Sequence, residues 1–135
     1  MKILARSFRV LMVLWAGSMW SLLWVAAVLF RFLSDRHTAG LIAGRLFSIE
    51  TYLGLGVALL ALLLPERARF LMGFVAIALL AVNEWVLKTV MTLAQTRGGT
   101  AGLSFSAWHG ISGGLYVLAC LCVLIVIYQE KYRHA

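Results

Sequence analysis

Charged residues are scarce in this chain: they form 13% of its 135 residues, whereas 63% are hydrophobic. A soluble domain averages about 25% charged and about 45–50% apolar residues. The composition therefore excludes an ordinary soluble domain and indicates a membrane protein. Only two cysteines are present, Cys120 and Cys122, both in the last apolar run. Two positions apart on a helix, their sulfurs point about 200° apart, which disfavours a disulfide or a shared metal ion and predicts buried apolar residues.

The sequence also lacks the motifs H-E-x-x-H, G-x-x-x-x-G-K-[ST] and C-x-x-C, which carry metalloprotease, phosphate-binding and redox chemistry. Ser112 and His109 stand three residues apart on one helix, but no oxyanion donor can be named for them. We therefore predict a protein that is not an enzyme and that carries no cofactor.

Basic residues outnumber acidic ones, 12 to 5, which gives a formal charge of +7. They stand at the ends of apolar runs rather than in a nucleic-acid-binding motif. Membrane topology and contact with anionic lipid explain this distribution better. The predicted partner is a lipid bilayer and not nucleic acid, with a membrane-protein partner or a homo-oligomer left open.

Four apolar runs are long enough to cross a bilayer, which requires about 20 residues. The first contains Trp15, Trp20 and Trp24 and exceeds the apolar region of a secretory signal, about 7–15 residues. Pro65 ends the second. We predict a single all-α domain, an integral membrane four-transmembrane-helix bundle. Its spans are predicted at about 10–30, 41–64, 70–91 and 107–128.

The segments between these spans predict two outer connections and several packing faces. The first loop runs from Arg31 to Arg45 and includes His37, although its C-terminal part, from Thr38, is helical in pattern and belongs to the second span. Residues 97–102 form a flexible loop. Small residues four positions apart let a second helix approach closely. The pairs of this kind are Gly17/Ser21, Gly40/Gly44 and Gly110/Gly114.

Four spans place both termini on one side of the membrane. The basic residues on that side are Lys2, Arg6, Arg9, Arg67, Arg69, Lys131 and Arg133. Those on the other side are Arg31, Arg36, Arg45, Lys88 and Arg97. Cytoplasmic segments carry the excess of basic residues, so we predict a multi-pass protein of the inner membrane with both termini cytoplasmic.

Ionisable side chains within the spans are candidate functional residues, because each costs about 2.5–3.5 kcal/mol to insert. Glu50 shares a helical face with Gly54, Val57 and Ala61, so its carboxylate is expected to point into the bundle. Arg45, five residues away, lies about 140° round the helix and is not a good partner for Glu50.

The third and fourth spans supply further polar residues at the same outer end. Glu84 and Lys88 stand in the i, i+4 order that favours an ion pair. If the four spans cross the membrane in alternating directions, these side chains and Glu50 lie in the outer half of the bundle. We predict one polar cluster there, with Arg45 at its rim. Its binding candidates are Arg45, Glu50, Asn83, Glu84, Lys88, Trp108, His109 and Ser112.

The cluster has three interpretations. A polar network can lock the helices together, although such bonds average only about 0.6 kcal/mol in membranes. Glu50 and Glu84 can instead take up a cation or a proton, with Asn83 as a neutral acceptor. A haem or metal site would use His109, but one histidine in a span is a weak signal. A hydrogen bond from His109 to Glu50 or Glu84 is favoured over a metal site.

Three segments resemble a known family: AGRLFSIETYLG, EWVLKTVMTLAQ and FSAWHGISGGLYVLACL. Together they resemble the TMEM205-like family of small membrane proteins, the DUF4149 group in bacteria. The resemblance covers nearly the whole chain and depends most on Trp108-His109-Gly110-x-Ser112, paired with the segment of Arg45 and Glu50. It implies a four-helix integral membrane protein, usually of the bacterial inner membrane, and supplies no agreed biochemical activity.

The sequence is therefore compatible with two functions. The first is a non-enzymatic membrane protein that handles an ion or small solute at the polar cluster. The alternative is an accessory structural subunit that packs against a larger membrane complex, which the tryptophan-rich first helix and the glycine faces would suit.

Overall fold

The computed structural model describes residues 2–64 and 70–132, with side chains at 6–64 and 70–129. Pro65, which was expected to end the second span, lies outside the described residues. Within them the chain forms five α-helices. These are α1 (Lys2–Phe32), α2 (Arg36–Leu62), α3 (Leu71–Val82), α4 (Lys88–Arg97) and α5 (Phe105–Tyr132).

The helices α3 and α4 are joined end to end by a π-helical turn, Asn83–Leu87. The described residues thus contain four helical spans that are long and apolar enough to cross a membrane. We refer to them in order as the first to fourth spans: Arg6–Phe32, Arg36–Leu62, Leu71–Arg97 and Phe105–Gln129. The prediction of an all-α, four-span membrane bundle is confirmed.

The second span begins earlier than predicted, at Arg36 rather than near residue 41. Asp35 is the reason, because its carboxylate caps the helix by accepting hydrogen bonds from the Thr38 hydroxyl and the His37 N–H. These two bonds, the Thr38 hydroxyl foremost, hold the pKa of Asp35 below its usual range. His37, predicted in a loop, therefore lies in the first turn of α2.

The third span ends later than predicted, at Arg97 rather than near residue 91. Gly98 ends the helix by adopting a left-handed conformation with a φ of 74°. The connection that follows, predicted as a flexible loop, contains a tight turn. Thr100 and Leu103 exchange backbone hydrogen bonds of 3.0 and 3.1 Å. The Trp108 indole donates to the Thr100 carbonyl at 3.0 Å, which ties this turn to the fourth span.

The first span packs against the second and the fourth, and the third span also packs against the second and the fourth. Each span contributes a residue without exposed surface to the common core: Met19, Ala61, Ala76 and Val123. The predicted inward face of the second span is confirmed, because Glu50, Gly54, Val57 and Ala61 are all buried. Cys120 and Cys122 are buried free thiols, as predicted.

Glycine packing differs from the prediction. A Cβ placed on Gly54 would lie 2.7 Å from Cζ2 of Trp15, so the first span depends on a glycine at this position. Most of the glycines predicted to mark helix contacts face open space instead. These are Gly17, Gly44, Gly110 and Gly114. Their small size is not used for packing within the described bundle.

Candidate functional site

A π-helical turn within the third span carries two of that span's polar residues. It contains Asn83 and Glu84 and is followed directly by Lys88. A π-turn widens the helix locally and changes which faces it presents before and after the turn, and such turns are frequent at functional sites. Here Asn83 contacts the fourth span, whereas the next residue, Glu84, contacts the second span.

Ser48 of the second span joins the two charged residues of the third. Its hydroxyl oxygen lies 2.8 Å from Oε1 and 2.9 Å from Oε2 of Glu84. The Lys88 ammonium donates to Glu84 Oε1 and to Ser48 Oγ, each at 2.8 Å. The side chain of Lys88 is 47% exposed, but that of Glu84 only 13%. The expected i, i+4 ion pair is therefore present, and Ser48 extends it into a bridge between two spans.

Asn83 and Ser112 form a second bridge, between the third and fourth spans. The Ser112 hydroxyl donates to Asn83 Oδ1, and Asn83 Nδ2 donates to the Ser112 carbonyl oxygen at 3.3 Å. Each residue thus satisfies a polar group of the other that would otherwise go unpaired in an apolar setting. This contact positions the fourth span against the π-turn.

The segment from Gly110 to Gly114 also has the spacing Gly-x-Ser-x-Gly, with Ser112 at its centre. In hydrolases that spacing forms a sharp turn between a strand and a helix, which exposes the serine as a nucleophile. Here the segment lies inside the helix Phe105–Tyr132, and the Ser112 hydroxyl donates to Asn83. The spacing therefore does not produce the geometry of a nucleophile elbow.

Glu50 lies apart from both bridges, in the interior of the bundle, where it is 3% exposed. Because α2 begins at Arg36, Glu50 is near the midpoint of this helix rather than near its N-terminal end. Ser48, two positions earlier, points about 200° away round the helix, so the Glu84–Lys88 pair faces away from Glu50. Within the described residues, Oε2 of Glu50 accepts no hydrogen bond.

The first and fourth spans form the walls around Glu50. Trp15 and Ser18 of the first span and Tyr116 of the fourth span lie near the carboxyl group. The nearby hydroxyl protons are directed at the backbone. Ser18 donates to the Trp15 carbonyl at 2.8 Å, and Tyr116 donates to the Met19 carbonyl at 3.1 Å. The two hydroxyl groups near the carboxyl group thus already donate to backbone carbonyls.

Arg45 is exposed on the second span, and the ion pair found among the described carboxylates is that of Glu84 with Lys88. This agrees with the expectation that Arg45 and Glu50 are poor partners. Trp108, another candidate, is half-buried and holds the turn between the third and fourth spans through Thr100. Neither residue joins Glu50 in a common cluster.

His109 is exposed at the start of the fourth span. Its ring lies 5.9 Å from that of Phe105 in a stacked arrangement and 6.1 Å from that of Phe30, edge to face. The hydrogen bonds of the described residues do not connect His109 with either carboxylate, contrary to expectation. The single predicted cluster is therefore divided into two interhelical bridges, an aromatic contact at the start of the fourth span and one isolated buried carboxylate.

The described side chains include no group of three His, Cys, Asp or Glu residues that could hold a metal ion together. The geometry can do two things. The two bridges can fix the third span against its neighbours, and the interior carboxylate can bind a small positively charged species that offsets its burial.

Ser48 and Trp15 belong to the site but were not singled out from the sequence. Ser48 could have been found from the sequence, because a hydroxyl group in an apolar span needs a hydrogen-bond partner and the third span carries charged residues that can provide one. For Trp15 the signal was Gly54, one turn from Glu50, where a missing side chain leaves room for a large one from another span.

Four apolar spans with polar contacts between them define this chain as a multi-pass membrane protein. A family model described as a domain of unknown function, DUF4149, matches residues 10–100, and the chain belongs to this family. The match covers the first span from residue 10 and all of the second and third spans, and it ends before Trp108 and His109. No curated protein and no solved structure matches the chain.

Proposed function

We propose that this chain is a non-enzymatic membrane protein that takes up a proton or another small cation at Glu50. The observation that carries the proposal is a carboxyl group that is 3% exposed and has an oxygen without a hydrogen-bond partner among the described residues. Ionisable residues inside membrane bundles are costly and by default mark ion or proton pathways. Binding a cation or a proton removes an uncompensated buried charge, so such a carboxylate favours binding.

Glu84 provides an internal contrast that supports this assignment. Its carboxylate is held by Ser48 and by Lys88 at 2.8 Å, so its charge is already compensated. A carboxylate paired in this way stabilises a helix interface and has little to gain from a further cation. The two acidic residues of the spans therefore have different roles, and Glu50 is the one proposed to bind.

Uptake by the full chain in liposomes tests the proposal. We expect the native chain to take up protons or a monovalent cation down an imposed gradient, measured with an entrapped dye. Glu50→Gln keeps the side-chain volume but removes the charge, and it should abolish uptake. Glu84→Gln is the matched control and should retain uptake while lowering stability. Equal uptake by the native chain and Glu50→Gln, or none above protein-free liposomes, would refute the proposal.

The proposed location is the inner membrane, with both termini cytoplasmic. The support is the excess of basic residues on the side of the termini, 7 against 5 from the positions in the sequence. Within its family we place the chain in the TMEM205-like group, on the segments quoted above. A reporter fused after Ala135 should be active in the cytoplasm, and a periplasmic reporter would overturn the topology.

A second candidate function is an accessory subunit of a larger membrane complex. It is favoured by the Lys88 side chain, which is 47% exposed on a span whose neighbouring Trp85 and Val86 are also exposed. A charged group on an outer helix face is less costly when another protein covers it. Purification in mild detergent followed by mass analysis should then yield a partner in constant ratio. A monodisperse protein without such a partner would count against this function.

A further inference from the structure

Two polar atoms without hydrogen-bond partners lie on facing elements of the bundle interior. One is Oε2 of Glu50 in the second span, and the other is the indole Nε1 of Trp15 in the first span. Both residues are only 3% exposed. A carboxylate oxygen accepts hydrogen bonds and an indole N–H only donates, so the two orphaned atoms are chemically complementary.

The packing at Gly54 shows where the indole edge lies. A Cβ on Gly54 would be 2.7 Å from Cζ2 and 3.4 Å from Cε2 of Trp15, and Cε2 is the ring atom bonded to Nε1. Gly54 and Glu50 are four residues apart and share one face of the second span. The N–H edge of Trp15 therefore lies against the helix turn that carries Glu50, and Trp15 flanks its carboxyl group.

The ligand set around Glu50 fits a proton better than a metal cation. Hard cations take about six or more oxygen ligands. Here there is one carboxylate, and the hydroxyl groups of Ser18 and Tyr116 donate to backbone carbonyls. The described residues form no group of three His, Cys, Asp or Glu side chains, and Glu84 is held by Ser48 and Lys88. One carboxylate is sufficient for a proton.

We propose that Glu50 binds a proton and that the Trp15 indole N–H donates a hydrogen bond to its carboxylate when that proton leaves. On uptake, Oε2 forms a bond to a proton delivered by hydronium, and a water molecule is released. On release, that O–H bond breaks, the proton returns to water, and both bonding electrons stay on Oε2. No oxidation or reduction takes place. The inference rests on the proposed function, because it names the species that Glu50 handles.

The other titratable groups near Glu50 belong to the fourth span. They are Tyr116 and Cys120, which both interact electrostatically with it. The first span presents Trp15 and Ser18, which do not titrate in water. The third span presents Ile77 at the level of Gly54, and its charged pair faces Ser48 instead. The Trp15 indole is therefore the unused donor beside this carboxylate among the described residues.

Nitrogen-15 labelling of the tryptophans in the full chain tests the pair directly. The chain has 5 tryptophans, so each indole N–H signal can be assigned by substitution. We expect the Trp15 signal to shift with pH, and Glu50→Gln to abolish that shift. Trp20 is the matched control, because its buried Nε1 also lacks a partner but lies on the same span away from Gly54. Its signal should be the same in the native chain and in Glu50→Gln.

Trp15→Phe keeps a ring in the core and removes the N–H. We expect it to reduce proton uptake into liposomes several-fold, whereas Trp20→Phe leaves uptake unchanged. The pairing is overturned if the chemical shift of the Trp15 indole does not change with pH, or if it changes equally in Glu50→Gln. This holds even if Glu50→Gln abolishes uptake. Uptake of sodium at constant pH, lost in Glu50→Gln, overturns the proton assignment while keeping the proposed function. A Glu50-dependent Trp15 shift without any uptake keeps the pairing and refutes the proposed function.

Discussion

Replacing Gly54 with alanine should disrupt the contact between the first and second spans. The added Cβ would lie 2.7 Å from Cζ2 and 3.4 Å from Cε2 of Trp15, and 3.6 Å from Cγ1 of Ile77. Carbon atoms pack best at about 3.5–4.0 Å, so the first of these contacts is short by almost 1 Å. Trp15 is rigid and 3% exposed, and it cannot swing away without moving the first span. Overpacking of this kind costs about 1–3 kcal/mol.

Gly56→Ala is the matched control, two residues along the same helix, because a Cβ there meets nothing within 4 Å. On helix propensity alone, each substitution would favour the helix by about 0.5–1 kcal/mol. Gly56→Ala should therefore be neutral or stabilising, and Gly54→Ala should be the less stable of the two. Unfolding of the purified chains by a denaturing detergent in mixed micelles measures the difference. Equal stability of the two variants would refute the packing of Trp15 against Gly54.

Two further predictions concern the bridge and the cap. Ser48→Ala removes the hydroxyl between Glu84 and Lys88 and should lower stability by about 0.6 kcal/mol, at most about 1.7, in the same unfolding assay; unchanged stability would contradict a bridge. Asp35 has a lowered pKa in the folded chain, so its stabilising effect is complete above its unfolded value of about 3.9 and is lost as the pH falls through the folded value. The protection of amide hydrogens at the start of α2, relative to their intrinsic exchange rate at each pH, should therefore fall at low pH in the native chain but not in Asp35→Asn. Equal pH profiles of protection would remove the cap from the explanation.

The four spans were predictable because hydropathy reports a property of single residues, their cost in lipid, summed along a run of about 20. The residues at which the spans end were harder to predict. Asp35 extends the second span to Arg36 by capping, and Gly98 closes the third at Arg97 through a positive φ. Both are recognised signals of helix termini, and they outweigh a change in hydropathy because backbone groups must be satisfied at either end.

For the site, the sequence predicted which residues share a face of one helix, but not which residues of different helices are in contact. Spacing placed Glu50 and Gly54 on one inward face and paired Glu84 with Lys88. It could not assign which neighbouring span each face meets, because that depends on rotation about the helix axis. The π-turn at Asn83 adds to this difficulty, since its change of phase alters the faces beyond it and no composition signal marks it.

The separation of Ser48 from Glu50 explains why one segment of the second span has two roles. Residues two apart on a helix point about 200° apart, so Ser48 reaches the third span while Glu50 turns to the first and fourth. The charge of Glu84 is thereby compensated within a helix interface, and the carboxyl group of Glu50 is not. If Glu50 only locked the helices together, a partner as well placed as Lys88 would be expected beside it. The unused Trp15 donor instead suits a carboxyl group whose charge is present only part of the time.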